Sequence, residues 1–140
     1  MRSRSLDTSV VLRLVLQDVP EAVQNIISLL ENSSSHSLLV EDAVLYETVW
    51  VLSGPPYNFT REDVGRALLK VSSLAQLKCN RELLFHVLPL YIKHPKLSFV
   101  DICLAAYAEL NNSAPLLTLD QALAKTLPTA RLLTQDARID

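Results

Sequence analysis

Four acidic side chains occupy positions where chemistry is a reason for their presence. Asp7 and Asp120 each stand at the carboxyl end of a short apolar run that reads as a strand, the edge at which ligands bind in open α/β sheets. Glu47 and Asp101 lie inside helical stretches that are otherwise mostly apolar, Tyr46-Glu47-Thr48-Val49-Trp50 and Val100-Asp101-Ile102-Cys103. Helical spacing puts Glu47 on one face with Val40, Ala43, Val44, Trp50 and Val51, a face expected to be buried. An unpaired carboxylate there costs several kcal/mol and needs a cation, a hydrogen-bond network or a metal. Brought together over one edge of a parallel sheet, the four would repel one another until a divalent cation neutralised them. An all-oxygen donor set without His or Cys favours Mg2+ or Mn2+. Ions of that kind activate water and stabilise the charge of phosphodiester cleavage, commonly as a pair roughly 4 Å apart.

Each acid also has an ordinary structural use. Glu47 can pair with an Arg or turn to solvent. Ser98 and Asp101 are spaced as N-cap and N3 of a capping box, and Asp7 and Asp120 are suited to N-cap the segments that follow them.

The elements that must position these acids alternate along the chain. Residues 4–7 read as a short strand, and the apolar residues from Val10 to Leu16 continue as a helix or turn. Pro20 opens a helix carrying Val23, Ile26, Ile27 and Leu30, which stops at the polar run Asn32 to Ser35. A second short buried strand covers residues 36–40, and Glu41 with Asp42 opens a helix to about Leu52. After the break Gly54-Pro55-Pro56, Thr60-Arg61-Glu62-Asp63 resembles a capping box, followed by an apolar face of Val64, Leu68, Val71, Ala75 and Leu77. Further helices are expected over residues 81–93 and 98–110, a strand over 115–119, a short helix over 120–126 and an edge strand over 131–133. Short strands alternating with longer amphipathic helices predict an α/β domain with a mainly parallel central sheet of four to five strands, spanning residues 1–140 as one unit.

Composition narrows the chemistry further. The 140 residues are 49% hydrophobic and 20% charged with a net charge of -2, which suits a compact chain able to build its own core. With only two glycines, Gly54 and Gly65, neither a P-loop nor a dinucleotide fingerprint can be assembled. Phosphate would have to be handled by side chains or metal. Cys79 and Cys103 lack partners at zinc-ligand spacing and form no disulfide framework, so a reducing, cytoplasmic setting is expected. Residues 1–16 resemble a signal peptide, but Asp7 and Arg13 interrupt the apolar run and no small-residue cleavage site follows, so they read as mature protein. No apolar stretch approaches the ~18 residues of a membrane span. His36, His86 and His94 stand at no suggestive spacing, and no G-x-S-x-G nucleophile elbow is present.

Four segments carry a family resemblance: Leu6-Asp7-Thr8-Ser9, the helix from Leu45 to Leu52 around Glu47, Ser98-Phe99-Val100-Asp101 followed by Leu104-Ala105-Ala106, and Leu117-Thr118-Leu119-Asp120 with Leu123-Ala124-Lys125. In order and spacing they resemble the four acidic motifs of PIN-domain ribonucleases, most closely the VapC-like toxins of toxin–antitoxin pairs. The resemblance runs from Leu6 to Leu133. It implies a PIN-like three-layer sandwich and an Mg2+- or Mn2+-dependent endoribonuclease. Asp7 and Asp101 would be the principal metal ligands, Glu47 and Asp120 would complete the pocket directly or through water, and Thr8, Ser9 and Thr118 would give polar support. Many members carry an additional acid where this chain has Ser98, and Asn where it has Ser9. The resemblance further implies a cognate antitoxin whose C-terminal segment enters the groove, often with an Arg or Lys reaching the acids, and a homodimeric toxin.

Charge distribution points to the same substrate class. Residues 57–100 hold seven basic side chains against three acidic ones, a net +4 that leaves -6 for the rest of the chain. A basic helical pair beside an acidic pocket suits a nucleic acid, with Arg66 and Lys70, one helical turn apart, as first choices for backbone contacts. A solvated helix face would look the same. Two other function classes compete: a PIN-like interaction module without turnover, and an aspartyl-phosphate enzyme with Asp7 as nucleophile. The second would need another Asp two residues on, where this chain has Ser9.

Overall fold

The structure is a computed structural model that describes residues 2–134. The chain divides into two compact units, Met1–Leu84 and Phe85–Asp140.

The first unit holds a three-stranded sheet of β1 (Arg4–Ser5), β2 (Leu38–Leu39) and β3 (Leu77–Lys78), in the order β1-β2-β3 with both pairings parallel. Parallel neighbours cannot be joined by a tight turn. The chain therefore crosses over through two helices each time: α1 (Thr8–Leu16) and α2 (Pro20–Glu31), then α3 (Asp42–Ser53) and α4 (Arg61–Ser72). Local chemistry sets where these helices begin and end. Pro20 takes the first helical position, where its missing N–H is no loss. Thr60 accepts the Asp63 N–H at 3.1 Å to cap α4. Gln17, at φ 52°, closes α1 in the left-handed region usually given to glycine. Helix α1 packs against α2, α3 and α4, and the core between them includes Val11, Leu12, Leu45, Val49, Leu52, Val64 and Leu68. Thr48, fully buried among them, satisfies its hydroxyl on the Val44 carbonyl at 2.7 Å.

Helix α5 (Arg81–Lys93) straddles the division. The second unit continues with α6 (Phe99–Leu110), β4 (Leu116–Thr118), α7 (Gln121–Thr126) and β5 (Ala130–Leu132). Strands β4 and β5 form a separate parallel pair, with α6 against β4 and α7 against both strands. Tyr91 and Phe99 meet edge to face, with ring centroids 5.4 Å apart. No helix among the described residues is long and apolar enough to cross a membrane.

The expected α/β class with parallel strands is what the structure has, with differences of detail. The sheet is three strands plus a separate pair, not one sheet of four to five. The first two strands are shorter than read, and β3 was not foreseen at all. Leu77, assigned to the apolar face of the preceding helix, is its buried residue; α4 stops at Ser72, and Ala75 is exposed. The segment beginning at Val10 is a helix that starts earlier, at Thr8.

Candidate active site

Parallel order sends the carboxyl ends of β1, β2 and β3 to one edge of the first unit, and three polar stations follow them: Asp7 after β1, Glu41 and Asp42 after β2, and Asn80 after β3. Asp7 is exposed and N-caps α1. Its Oδ1 accepts the Thr8 N–H at 2.7 Å, and its Oδ2 accepts the Ser9 hydroxyl at 3.1 Å. The Thr8 side chain is buried, so its support of Asp7 comes through the backbone. Asn80 donates to Asp42 Oδ2 at 3.1 Å and accepts the Leu83 N–H at 3.1 Å, tying the start of α3 to the first turn of α5. A hollow of about 360 Å³ lies here, lined by Val40, Asp42, Cys79 and Asn80 among others. Burial pushes the Cys79 thiol up from its ordinary range, against a smaller opposing pull from Arg81.

Asp42 and Asn80 are polar residues of this edge that sequence reasoning missed as site candidates. Asp42 was read only as charge in a helix first turn, and Asn80 follows a strand that was not recognised. The rule that flagged Asp7, a polar residue just past a strand's carboxyl end, applies to Asp42 after the expected second strand and to Asn80 once β3 is known.

Glu47 corrects an expectation. It is exposed, not buried, and shares an exposed stripe of α3 with Ala43 and Trp50, the latter 81% exposed. The buried face of α3 is Leu45, Thr48, Val49 and Leu52. Apolar residues surround this helix on every side, so periodicity could not choose between its faces. The Glu47 carboxylate reaches solvent and needs no internal partner. It sits on α3, which packs against the α1 that Asp7 caps.

In the second unit Asp101 is half-buried at the third position of α6, where its N–H donates to the Ser98 hydroxyl at 3.1 Å, the cap that the spacing predicts. Asp120 is exposed and N-caps α7, accepting the Leu123 N–H at 3.1 Å, while its own N–H donates to Thr118 Oγ1 at 3.0 Å. Strand β4 ends at Thr118 and packs against both α6 and α7. The structure thus places Asp7 and Glu47 on packed elements of one unit, and Asp101 and Asp120 on elements joined through β4 in the other. Among the described residues, no group of three or more His, Cys, Asp or Glu side chains stands arranged to hold a metal ion.

The basic candidates differ in their commitments. Arg66 forms an exposed ion pair with Asp63 at 2.6 Å, while Lys70, one turn further along α4, is exposed. The Arg66 guanidinium holds the Asp63 carboxyl below its usual range, with the Thr60 hydroxyl adding to the effect. Arg81 is structural: its guanidinium donates to the carbonyls of Ser72 at 2.6 Å, Leu74 at 3.3 Å and Leu77 at 3.4 Å. Neither Cys79 nor Cys103 is in a disulfide.

The family model of the PIN domain matches residues 5–126, a span that crosses both units and contains all four acids. No curated protein sequence matches the chain.

Proposed function

This chain belongs to the PIN domain family, whose members are generally metal-dependent nucleases that commonly bind RNA; on that premise we propose that it is an endoribonuclease and the toxin of a VapC-like toxin–antitoxin pair. The nuclease part of the reading is supported by the family match over residues 5–126, which contains Asp7, Glu47, Asp101 and Asp120, and the toxin part by the order and spacing of the four acidic segments. The solvent access of the four acids agrees with it, since three are exposed and Asp101 is half-buried.

The donor chemistry fits a hard divalent cation, because all four are carboxylates. Asp7 and Asp101 would be the principal holders of Mg2+ or Mn2+, with Glu47 and Asp120 completing the set. Bound there, the ion would supply Lewis-acid charge and an activated water for phosphodiester hydrolysis. This chain's own contribution is orientation. Ser9 and the Thr8 N–H fix the Asp7 carboxylate, Thr118 fixes the backbone of Asp120, and Lys70 and Arg66 offer cations to the RNA backbone. The proposal extends to a single domain over residues 1–140, a cytoplasmic setting, a homodimer, and an antitoxin that silences the acids by placing an Arg or Lys among them.

The test is direct. Purified chain, free of antitoxin, is incubated with total RNA and Mg2+ or Mn2+ beside Asp101→Asn. Discrete cleavage products from the wild type alone are expected. Indistinguishable RNA profiles would assign the fold to an interaction module without turnover.

A further inference from the structure

The amino end of the three-stranded sheet carries basic charge that the acids at its carboxyl end do not use. Arg4 opens β1, pinned by its N–H to the Ser37 carbonyl at 2.8 Å, and Arg2 lies two residues before it. Both are exposed, and both line a hollow of about 360 Å³ whose other walls include Asn32, Ser33, Ser34 and Leu38. A guanidinium commonly answers a carboxylate or the unsatisfied carbonyls at a helix end. Here neither is on offer. No acidic side chain lines the hollow, and among the described residues neither arginine has an ion pair or a side-chain hydrogen bond. The carbonyls at the end of α2 are already taken, that of Ser28 by the Asn32 amide at 2.7 Å, that of Leu29 by the Ser33 hydroxyl at 2.6 Å and that of Leu30 by the Gln76 amide at 3.1 Å. Ser37 commits its hydroxyl proton to the Ser34 carbonyl at 2.7 Å. The Ser34 hydroxyl and N–H have no acceptor among the described residues. Two cations and these donors are thus left facing a concave surface that supplies no anion of its own.

We propose that this hollow binds a phosphomonoester group. Two fixed guanidinium charges match the charge of about -1.5 to -2 that such a group carries at neutral pH. The planar fork of each arginine can take two phosphate oxygens at once, which a single carboxylate or an internal phosphodiester would use less fully. The chain as a whole, at net -2, does not draw anions by its overall charge, so the attraction is local to this pair. The volume stands at the lower end of the range of about 300–1,000 Å³ for ligand pockets, enough for the phosphate and a sugar-sized body against Leu38. The site lies at the opposite end of the strands from Asp7, Asp42 and Asn80. It goes beyond the nuclease reading and requires neither metal nor cleavage.

Inorganic phosphate and ribose 5-phosphate are titrated calorimetrically into the full chain in EDTA, which keeps any metal from tethering an anion to the carboxylates. Saturable binding of both is expected, and none of ribose. Arg2→Gln and Arg4→Gln should each weaken it about 5-fold, and the double variant further, at unchanged melting temperature. Arg4→Lys keeps the charge without the fork and should recover only part of the loss. Ser34→Asp, which gives the hollow a carboxylate of its own, should abolish binding, whereas Arg131→Gln, the same change made on β5, should leave it intact. Two oligoribonucleotides, one 5′-phosphorylated and one 5′-hydroxyl, separate the sources of the group. A preference for the phosphorylated one that disappears in Arg2→Gln assigns it to an RNA end; equal binding of the two beside arginine-dependent binding of ribose 5-phosphate assigns it to a small phosphorylated metabolite. Failure of phosphate and ribose 5-phosphate to bind saturably overturns the proposal. So does a loss in Arg131→Gln as large as that in Arg4→Gln, since the attraction is then general. Oligonucleotide binding that needs Arg2 and Arg4 but is not displaced by ribose 5-phosphate overturns it as well, because the pair then follows an RNA backbone.

Discussion

Ser9 donates its hydroxyl to Asp7 Oδ2 at 3.1 Å, so the carboxylate that caps α1 through Oδ1 is also fixed in rotation by the residue two positions on. One side chain therefore serves a helix and, on the proposed reading, a metal, and the two duties can be pulled apart by substitution.

Asparagine caps helices about as well as aspartate. Asp7→Asn should therefore keep the fold, losing at most the few tenths of a kcal/mol that an exposed charge gains at a helix N-terminus. It should nevertheless lower RNA cleavage by about 100-fold or more, the scale of losing several kcal/mol of metal-borne stabilisation. The same variant should lose the rise in melting temperature that Mn2+ gives the wild type, a stabilisation of about 2.7 kcal/mol at 100 times the dissociation constant. Asp7→Ala should add a stability loss of about 1 kcal/mol in urea. Wild-type cleavage and an unchanged Mn2+ response in Asp7→Asn would leave Asp7 as a cap only.

The same division explains what could be read from the letters. Most helix starts were legible because their chemistry is local: Pro20, Thr60, Ser98 and Asp120 each act within three residues of themselves, while Asp7 was legible as a cap although the helix behind it reads only from Val10. The strand-end positions of Asp7 and Asp120 were legible for that reason too. Strand β3 was not, since two residues with one buried Leu carry no period, and Leu77 sits at a spacing that extends the helix before it. The exposure of Glu47 and Trp50 was hidden by a helix apolar on all sides. Contacts made by chain return were beyond reach altogether: Asn80 reaches Asp42 across 38 positions, and Arg81 folds back onto the end of α4.

That last contact gives a stability prediction. The Leu74 carbonyl already takes the Leu77 N–H at 3.1 Å, but those of Ser72 and Leu77 are left over where α4 ends and β3 begins, and the planar Arg81 fork meets them. Removing it strands those acceptors, so Arg81→Ala should cost about 1.5–3 kcal/mol, read as a lower urea midpoint at unchanged slope. Arg81→Lys keeps the charge but not the fork and should recover only part of the loss. Equal stability of Arg81→Ala and wild type would show that water replaces the guanidinium without penalty.

The ion pair on α4 joins pH dependence to RNA binding. Arg66 holds the Asp63 carboxyl below its ordinary value of 3.8, so between the two values the unfolded chain binds more protons than the folded one. The pair's stabilisation is in place above about pH 3.8 and is lost as pH falls through the folded value. In an NMR titration Asp63 should move upward in Arg66→Ala. Both side chains are well exposed, so melting near neutral pH should hardly change. On RNA the two cations should separate. Arg66 must exchange a carboxylate for a phosphate, whereas Lys70 brings its charge to the backbone without giving up that pair. Lys70→Ala should weaken binding uniformly across sequences and flatten the slope of log affinity against log salt by about 1. Asp63→Asn, which releases Arg66, should steepen it. A salt slope identical in all three proteins would mean that this face of α4 is solvated surface and that the RNA runs elsewhere.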